Sequence, residues 1–421
     1  MRSLLIYMTF GCLALISLAG TASAQAPSLI TLDQAIDLAL THSHALKAAQ
    51  TQIQQNKAQE ITANLRPNPN LTWDGLFFPL NPSDFTLANL ESTQEFDLGV
   101  NYLFERGGKR RKRLKAAQDA TAVTRFQVAD TERSLIFNVA QQFISAQLAN
   151  SNLEFAQKDL SSFQQTVDIA QAQYKAGAIS EGDYLKITLQ LLQFQTDVAA
   201  AEVAKVQALA GLRELLGYNA VAENFDVEGE MSYTPLNLNL DDLRLHALQS
   251  RPDLQAAQSG VQAAQSQIDL AKANGKIDLT AGVGYSHLSN QNTAGINFSL
   301  PLPFFDRNQG EIARTRYAFT QAQEQEVAAN DTVLTDIRNA YESFVTNQKV
   351  VQLYTSGYLK QAQDSRDISE YAYKRGAASL LDYLDAERSY RSTQWAYRQS
   401  LANYLVSIEQ LKESVGSRTL P

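Results

Sequence analysis

Three groups of side chains in this chain could do chemistry. They are a histidine pair, a run of cations and a few carboxylates near helix ends. His42 and His44 look set to chelate. On a helix, however, residues two apart diverge by about 200°, so the pair cannot grip one ion. His246 and His287 are isolated, and Met231 is the one methionine beyond the first ten residues. These make no metal-ligand cluster. Asp382 and Asp385, with Asp183 earlier in the chain, read on spacing alone as solvated helix carboxylates. Gly107-Gly108-Lys109-Arg110 is not a phosphate loop, because the upstream glycine and the following Ser or Thr are missing. No nucleophile elbow, zincin helix or dinucleotide fingerprint occurs. The expectation is a protein that is not an enzyme and has no cofactor and no resident metal.

The cationic run is Lys109-Arg110-Arg111-Lys112-Arg113. Such runs are usually solvated. This one opens a long helix directly below a strand, where it could meet lipid phosphates of an inner leaflet. Cations at a helix N-terminus oppose the dipole and call for a compensating partner. Nucleic acid is excluded as that partner by the net charge of −8 and by the secretory leader.

That leader is residues 1–24. Arg2 supplies the positive start, Leu4 to Ala19 the apolar stretch, and Ala22-Ser23-Ala24 the cleavage site, so the mature chain begins near Gln25. Cys12, the only cysteine, lies inside the leader. The mature protein therefore has no disulfide, thiolate or lipidated cysteine. No mature segment reaches the roughly 18 apolar residues of a spanning helix. Any membrane passage must be through a closed barrel.

The elements that would position these groups occur twice. Leu32-Asp33 through Leu46-Lys47-Ala48-Ala49-Gln50 matches Leu240-Asp241 through Leu254-Gln255-Ala256-Ala257-Gln258. Gly99-Val100-Asn101-Tyr102 matches Gly295-Ile296-Asn297-Phe298. Tyr174-Lys175-Ala176-Gly177 matches Tyr373-Lys374-Arg375-Gly376, and Asp183-Tyr184-Leu185 matches Asp382-Tyr383-Leu384. One unit has been duplicated. The first repeat spans 25–218, with helix 32–65, strands 70–78 and 95–104, and helices 109–175 and 180–217. A linker, 219–239, follows. The second repeat spans 240–416, with helix 240–273, strands 276–286 and 293–302, and helices 310–374 and 379–415; 417–421 is a tail.

The strands alternate strictly. Phe96, Leu98, Val100, Tyr102 and Phe104 point one way; Glu95, Asp97, Gly99 and Asn101 point the other. A barrel with lipid outside and water inside shows this pattern, as does a half-buried soluble sheet. The helices carry heptad seams: Leu153, Ala156, Leu160, Phe163, Val167, Ala170 and Tyr174, and later Tyr383, Tyr390, Tyr397, Tyr404 and Leu411. A proline-free stretch of sixty-odd residues makes a rod of roughly 95 Å. Gly177 and Gly376 turn the helix pairs at the far end of the rods. Four strands per chain cannot close a barrel, whereas three chains give about 12, an allowed number.

Leu32-x-x-Ala35-Ile36-x-x-Ala39-Leu40, Arg66-Pro67-Asn68-Pro69-Asn70-Leu71 and Leu300-Pro301-Leu302-Pro303-Phe304-Phe305-Asp306-Arg307-Asn308-Gln309-Gly310 together resemble the TolC-like outer-membrane factor family. Glu105-Arg106-Gly107-Gly108-Lys109-Arg110-x-x-Arg113 is similar to its CzcC-like heavy-metal branch. The resemblance implies a mainly α fold with a membrane β-barrel: a trimeric 12-stranded barrel continued by an α-helical tunnel through the periplasm. It implies a homotrimer in outer-membrane lipid, docked to a periplasmic adaptor and an inner-membrane transporter, exporting solutes with heavy-metal cations as first choice. It also implies a gate of acidic residues behind the tip glycine. Asp382 and Asp385 match that pattern; Asp183 is the first-repeat counterpart, with Lys186 in place of Asp385. Stacked threefold, such carboxylates favour cations. Tyr174, Gly177, Tyr373 and Gly376 mark the tips that would meet the adaptor. Ala378 stands where the family carries a latching arginine. The competing readings are a channel for drugs or polypeptide, and a pore-less periplasmic adaptor or structural coiled coil.

Overall fold

The computed structural model describes residues 29–76, 80–88, 95–288 and 291–421. The leader and the expected end of the 70–78 strand lie outside the described residues. A short parallel pair, β1 (Leu29–Ile30) with β4 (Asp226–Val227), belts the middle of the chain. Helices α1 (Leu32–His42) and α2 (His44–Asn64) lead to strands β2 (Asn70–Leu76) and β3 (Glu95–Phe104). Helices α3 (Lys109–Lys175) and α4 (Glu181–Leu216) then form the first long hairpin. The second half repeats the order: α5 (Leu240–Ser250), α6 (Pro252–Asn274), β5 (Leu279–Leu288), β6 (Gln291–Ser299), α7 (Gln309–Leu353), α8 (Leu359–Lys374) and α9 (Leu380–Val415).

Three expected helices are interrupted, each for a local reason. The opening helix does not run unbroken over 32–65. Ser43 is extended at ψ 117° and caps the next helix by accepting from the Leu46 amide at 3.3 Å. The expected 240–273 helix breaks at Arg251, which Pro252 forces out of helical geometry. Glycines press on both breaks. A side chain on Gly217 would come within 3.1 Å of His42, and one on Gly416 within 3.1 Å of Arg251. The expected 310–374 helix is interrupted by a π turn, Tyr354–Tyr358, in which Gly357 adopts φ 145°.

The four long strands form one antiparallel sheet in the order β2-β3-β5-β6. β5 and β6 are displaced from the expected 276–286 and 293–302. Asp278 is engaged before the strand begins, accepting from the Arg106 amide and the Lys109 ammonium. Pro301 lies just beyond Ser299, and with no N–H to donate it cannot extend the ladder. On one face Leu71, Trp73, Leu98, Val100, Val283, Tyr285, Ile296 and Phe298 are exposed. On the other, Asn297 donates to Asn101 across Gly282 at 3.0 Å. A side chain at Gly282 would sit 2.0 Å from the Asn101 Oδ1, so glycine is what lets the two amides meet.

Below the sheet, α2, α3, α6 and α7 pack side by side and the hairpins extend downward. At about 1.5 Å per residue, α3 alone is a rod of about 100 Å. Two apolar clusters hold the middle of the two repeats, the first of them including the belt residues Ile30 and Val227. One gathers Ile30, Val139, Phe143, Leu212 and Phe225; its counterpart in the second half gathers Leu243, Ile337, Phe344, Tyr404 and Leu411. A third, near the tips, joins the hairpins through Phe163, Phe194 and Tyr383. Among the described residues no helix is long and apolar enough to cross a membrane.

Candidate functional site

The two hairpin tips share one geometry. After Lys175 the Gly177 amide donates to Tyr174 and the Ala178 amide to Gln173, at 2.9 and 2.8 Å; after Lys374 the Gly376 amide donates to Tyr373 and Ala377 to Ala372 at the same distances. Both glycines sit at φ +74°, the left-handed position that ends a helix in this motif. Each turn stacks two tyrosine rings, Tyr174 on Tyr184 at 5.2 Å and Tyr373 on Tyr383 at 5.5 Å. The candidate adaptor-contact residues are thus placed together at one end of the molecule, with Tyr174 partly exposed and Tyr383 buried.

The candidate gate carboxylates already have local partners. Asp382 closes a capping box: it accepts from the Ser379 amide at 3.2 Å and from its hydroxyl at 2.7 Å. Asp183 accepts from the Ser180 hydroxyl at 2.9 Å and lies 3.5 Å from Lys186. Asp385 is exposed and pairs with Arg388 at 3.0 Å. Asp183 lines a cavity of about 810 Å³ between the tips, with Ala378, Leu380 and Tyr373. Among the described residues the buried Tyr373 hydroxyl has no hydrogen-bond partner. Burial, and then the Asp183 carboxylate, push its pKa above the ordinary tyrosine value.

Farther from the tips lies a charged cluster that sequence reasoning missed. Arg391 on α9 donates to Asp159 on α3 at 2.7 Å and also to Asp197 on α4, while its guanidinium covers the Phe194 ring at 3.9 Å. It is 12% exposed and Asp159 4%. Glu387, one turn before Arg391, faces Asp159. Burial, and next the Asp159 charge, push Glu387 up to about 7. Burial likewise raises Asp159 against the opposing pull of Arg391. Arg366 on α8 faces the same carboxylates and lies over the Tyr390 ring at 4.6 Å. The Arg391 partners are 232 and 194 residues away in sequence, so no local spacing announced them.

The cationic run divides where the sheet meets the helices. Lys109 is buried against Asp278 at 2.6 Å, Lys112 pairs with Asp269 at 2.6 Å, and Arg113 forks onto Glu105 while donating to the Ala63 and Leu65 carbonyls. Lys109 is an internal brace and Arg113 a half-buried one, whereas the Lys112–Asp269 pair lies at the surface. Among the described residues no group of three or more His, Cys, Asp or Glu side chains could hold a metal ion.

Known proteins share the fold. The family model described as "Outer membrane efflux protein" matches residues 35–218 and 243–417, one stretch per repeat. The chain is 23% identical to the cobalt-zinc-cadmium resistance protein CzcC of Cupriavidus metallidurans, covering 87% of this chain and 85% of that one. It is 24% identical to the cation efflux system protein CusC of Escherichia coli, covering 89% and 84%. Among solved structures, the outer membrane channel CmeC of Campylobacter jejuni superposes with a TM-score of 0.78 at 17% identity, over 91% of this chain and 85% of that one. A crystal structure of CusC gives 0.77 at 22%, over 92% of each chain.

Proposed function

This chain belongs to the outer membrane efflux protein family, and we propose that it works as a homotrimer, the outer duct of a tripartite pump exporting heavy-metal cations. The protein is an outer-membrane efflux channel and has the fold of such channels.

The sheet carries the trimer reading. Its apolar face is open to the surroundings, and among the described residues both outer strands, β2 and β6, have an edge unpaired within the protomer. Unpaired backbone is not viable in lipid. Three copies of the four-stranded sheet close about 12 strands with a polar lumen. Tyr102, Phe104 and Phe298 lie toward the helical end of the apolar face, where one interfacial girdle would sit. The helices leave a similar deficit. Leu185, Leu189, Leu192, Val203 and Val206 form an exposed heptad stripe on α4 that a second copy would cover.

Cations are the preferred cargo because CzcC and CusC, similar along most of their length, are named for them. Asp382 and Asp385, with Asp183, would form carboxylate rings at the periplasmic entrance and favour cations there. Tyr174, Gly177, Tyr373 and Gly376 would meet a periplasmic adaptor, which links the duct to an inner-membrane transporter. Removing the protein from its native cell should raise accumulated cobalt, zinc or cadmium several-fold with unchanged drug sensitivity. Unchanged metal content with new drug sensitivity would assign the duct to another cargo.

A further inference from the structure

Arg66, Arg110 and Arg111 remain after the internal braces are accounted for. Lys109, Lys112 and Arg113 each hold a carboxylate. Among the described residues no carboxylate lies within ion-pair distance of Arg66, Arg110 or Arg111. All three line one cavity of about 370 Å³, and the carboxylate that also lines it, Glu105, is already taken by Arg113. Arg66 and Arg111 are exposed and Arg110 half-buried. The other wall is aromatic: Tyr102 and Phe104, edge to face at 4.9 Å, end the apolar face of β3. Three uncompensated guanidiniums thus meet the limit of the lipid-compatible surface. Two of them sit at the positive end of α3, where cations are disfavoured unless an anion joins them.

We propose that this cavity binds the phosphate of a phospholipid headgroup in the periplasmic leaflet of the outer membrane, an inference that rests on the sheet being the membrane-spanning part. Guanidinium forks fit phosphate oxygens in pairs. The Tyr102 and Phe104 rings lie where the glycerol and upper acyl chain of that lipid would pass. The opposite rim of the sheet faces the outer leaflet, so the site selects the inner-leaflet phosphodiester by position. It also fixes the height of the barrel, because the headgroup clamps the junction that Lys109 and Asp278 hold from inside.

The test is native mass spectrometry of the full-length protein, extracted from its own outer membranes in mild detergent. The wild type should carry phospholipid through the gas phase. Arg66→Gln/Arg110→Gln/Arg111→Gln should lose at least threefold of it, and Lys158→Gln, far down α3, should lose none. The single variants Arg110→Gln and Arg111→Gln keep the test usable if the triple variant assembles poorly, and each should lose part. Equal lipid retention in all variants, with assemblies intact, overturns the site. So does stabilisation of delipidated protein by inorganic phosphate alone, lost in the triple variant, because the ligand is then free phosphate. Wild-type protein absent from the outer-membrane fraction would sink the membrane reading itself, a result distinct from either.

Discussion

Arg391 donates to Asp159 at 2.7 Å and thereby joins two hairpins that sequence places 232 residues apart. The same guanidinium also holds Asp197, so one cation ties α9 to both helices of the first hairpin. Removing one partner of a buried ion pair leaves uncompensated charge and costs about 3–5 kcal/mol. Arg391→Ala should loosen the lower tunnel while leaving the belt cores intact. Faster hydrogen exchange confined to residues 383–398 and to the facing part of α3 is the expected signature. Unchanged exchange there would show that the cluster does not hold the hairpins.

The same cluster should respond to pH. Glu387 lies near 7, above its unfolded carboxylate value, so the native cluster keeps a proton that the unfolded chain releases at lower pH. Its support is full below the ordinary carboxylate range and is lost as pH rises through about 7. The neighbouring charged and titratable groups are Asp159 from α3, Arg366 and Glu370 from α8, and Arg391, Tyr383 and Tyr390 from α9. Exchange of α9 should therefore accelerate between pH 6 and 8. Glu387→Gln, neutral throughout, should flatten that dependence; a profile identical to wild type would assign the response elsewhere.

The tip glycines should matter through backbone strain alone. Among the described residues nothing lies within 4 Å of a side chain added at Gly177 or Gly376, yet both sit at φ +74°. An L-residue there costs about 1–2 kcal/mol, and asparagine costs less than alanine. Thermal melts should rank wild type above Gly376→Asn and Gly376→Ala lowest. Equal melting points would mean that the turn relaxes out of the left-handed region.

Gly282 should be intolerant for the opposite reason, because space is short. Added carbon would lie 2.0 Å from Asn101 Oδ1 and 2.5 Å from Asn297 Oδ1. Gly282→Ala should break the amide bridge across the sheet and lower the yield of heat-resistant assemblies in outer membranes. Gly295→Ala, with open space around it, should not. Equal yields from the two variants would remove the bridge from the account.

Much of this architecture was legible in the sequence. Alternation gave the strand faces because each strand has one apolar face whatever covers it. Heptad spacing marked the Tyr383-to-Leu411 seam, whose members Tyr383, Tyr404 and Leu411 are buried. Breaks were less legible. Ser43 ends one helix and starts the next through its own hydroxyl, and Gly357 opens a π turn inside a strongly helical stretch. Neither alters the surrounding periodicity. The Asp382 pattern was visible, and Ser379-x-x-Asp382 at a helix start has capping-box spacing, so the bond that holds it was legible too. The Arg391 cluster was invisible because each member looks like a solvated residue until four helices converge.

The most direct test is single-channel conductance of the purified protein in a planar bilayer, comparing wild type with Asp382→Asn/Asp385→Asn, a change that keeps a side-chain acceptor for the Ser379 cap. The channel reading predicts a small cation-preferring conductance in the wild type and weakened cation preference in the double variant. No conductance from stably inserted wild-type protein would contradict it.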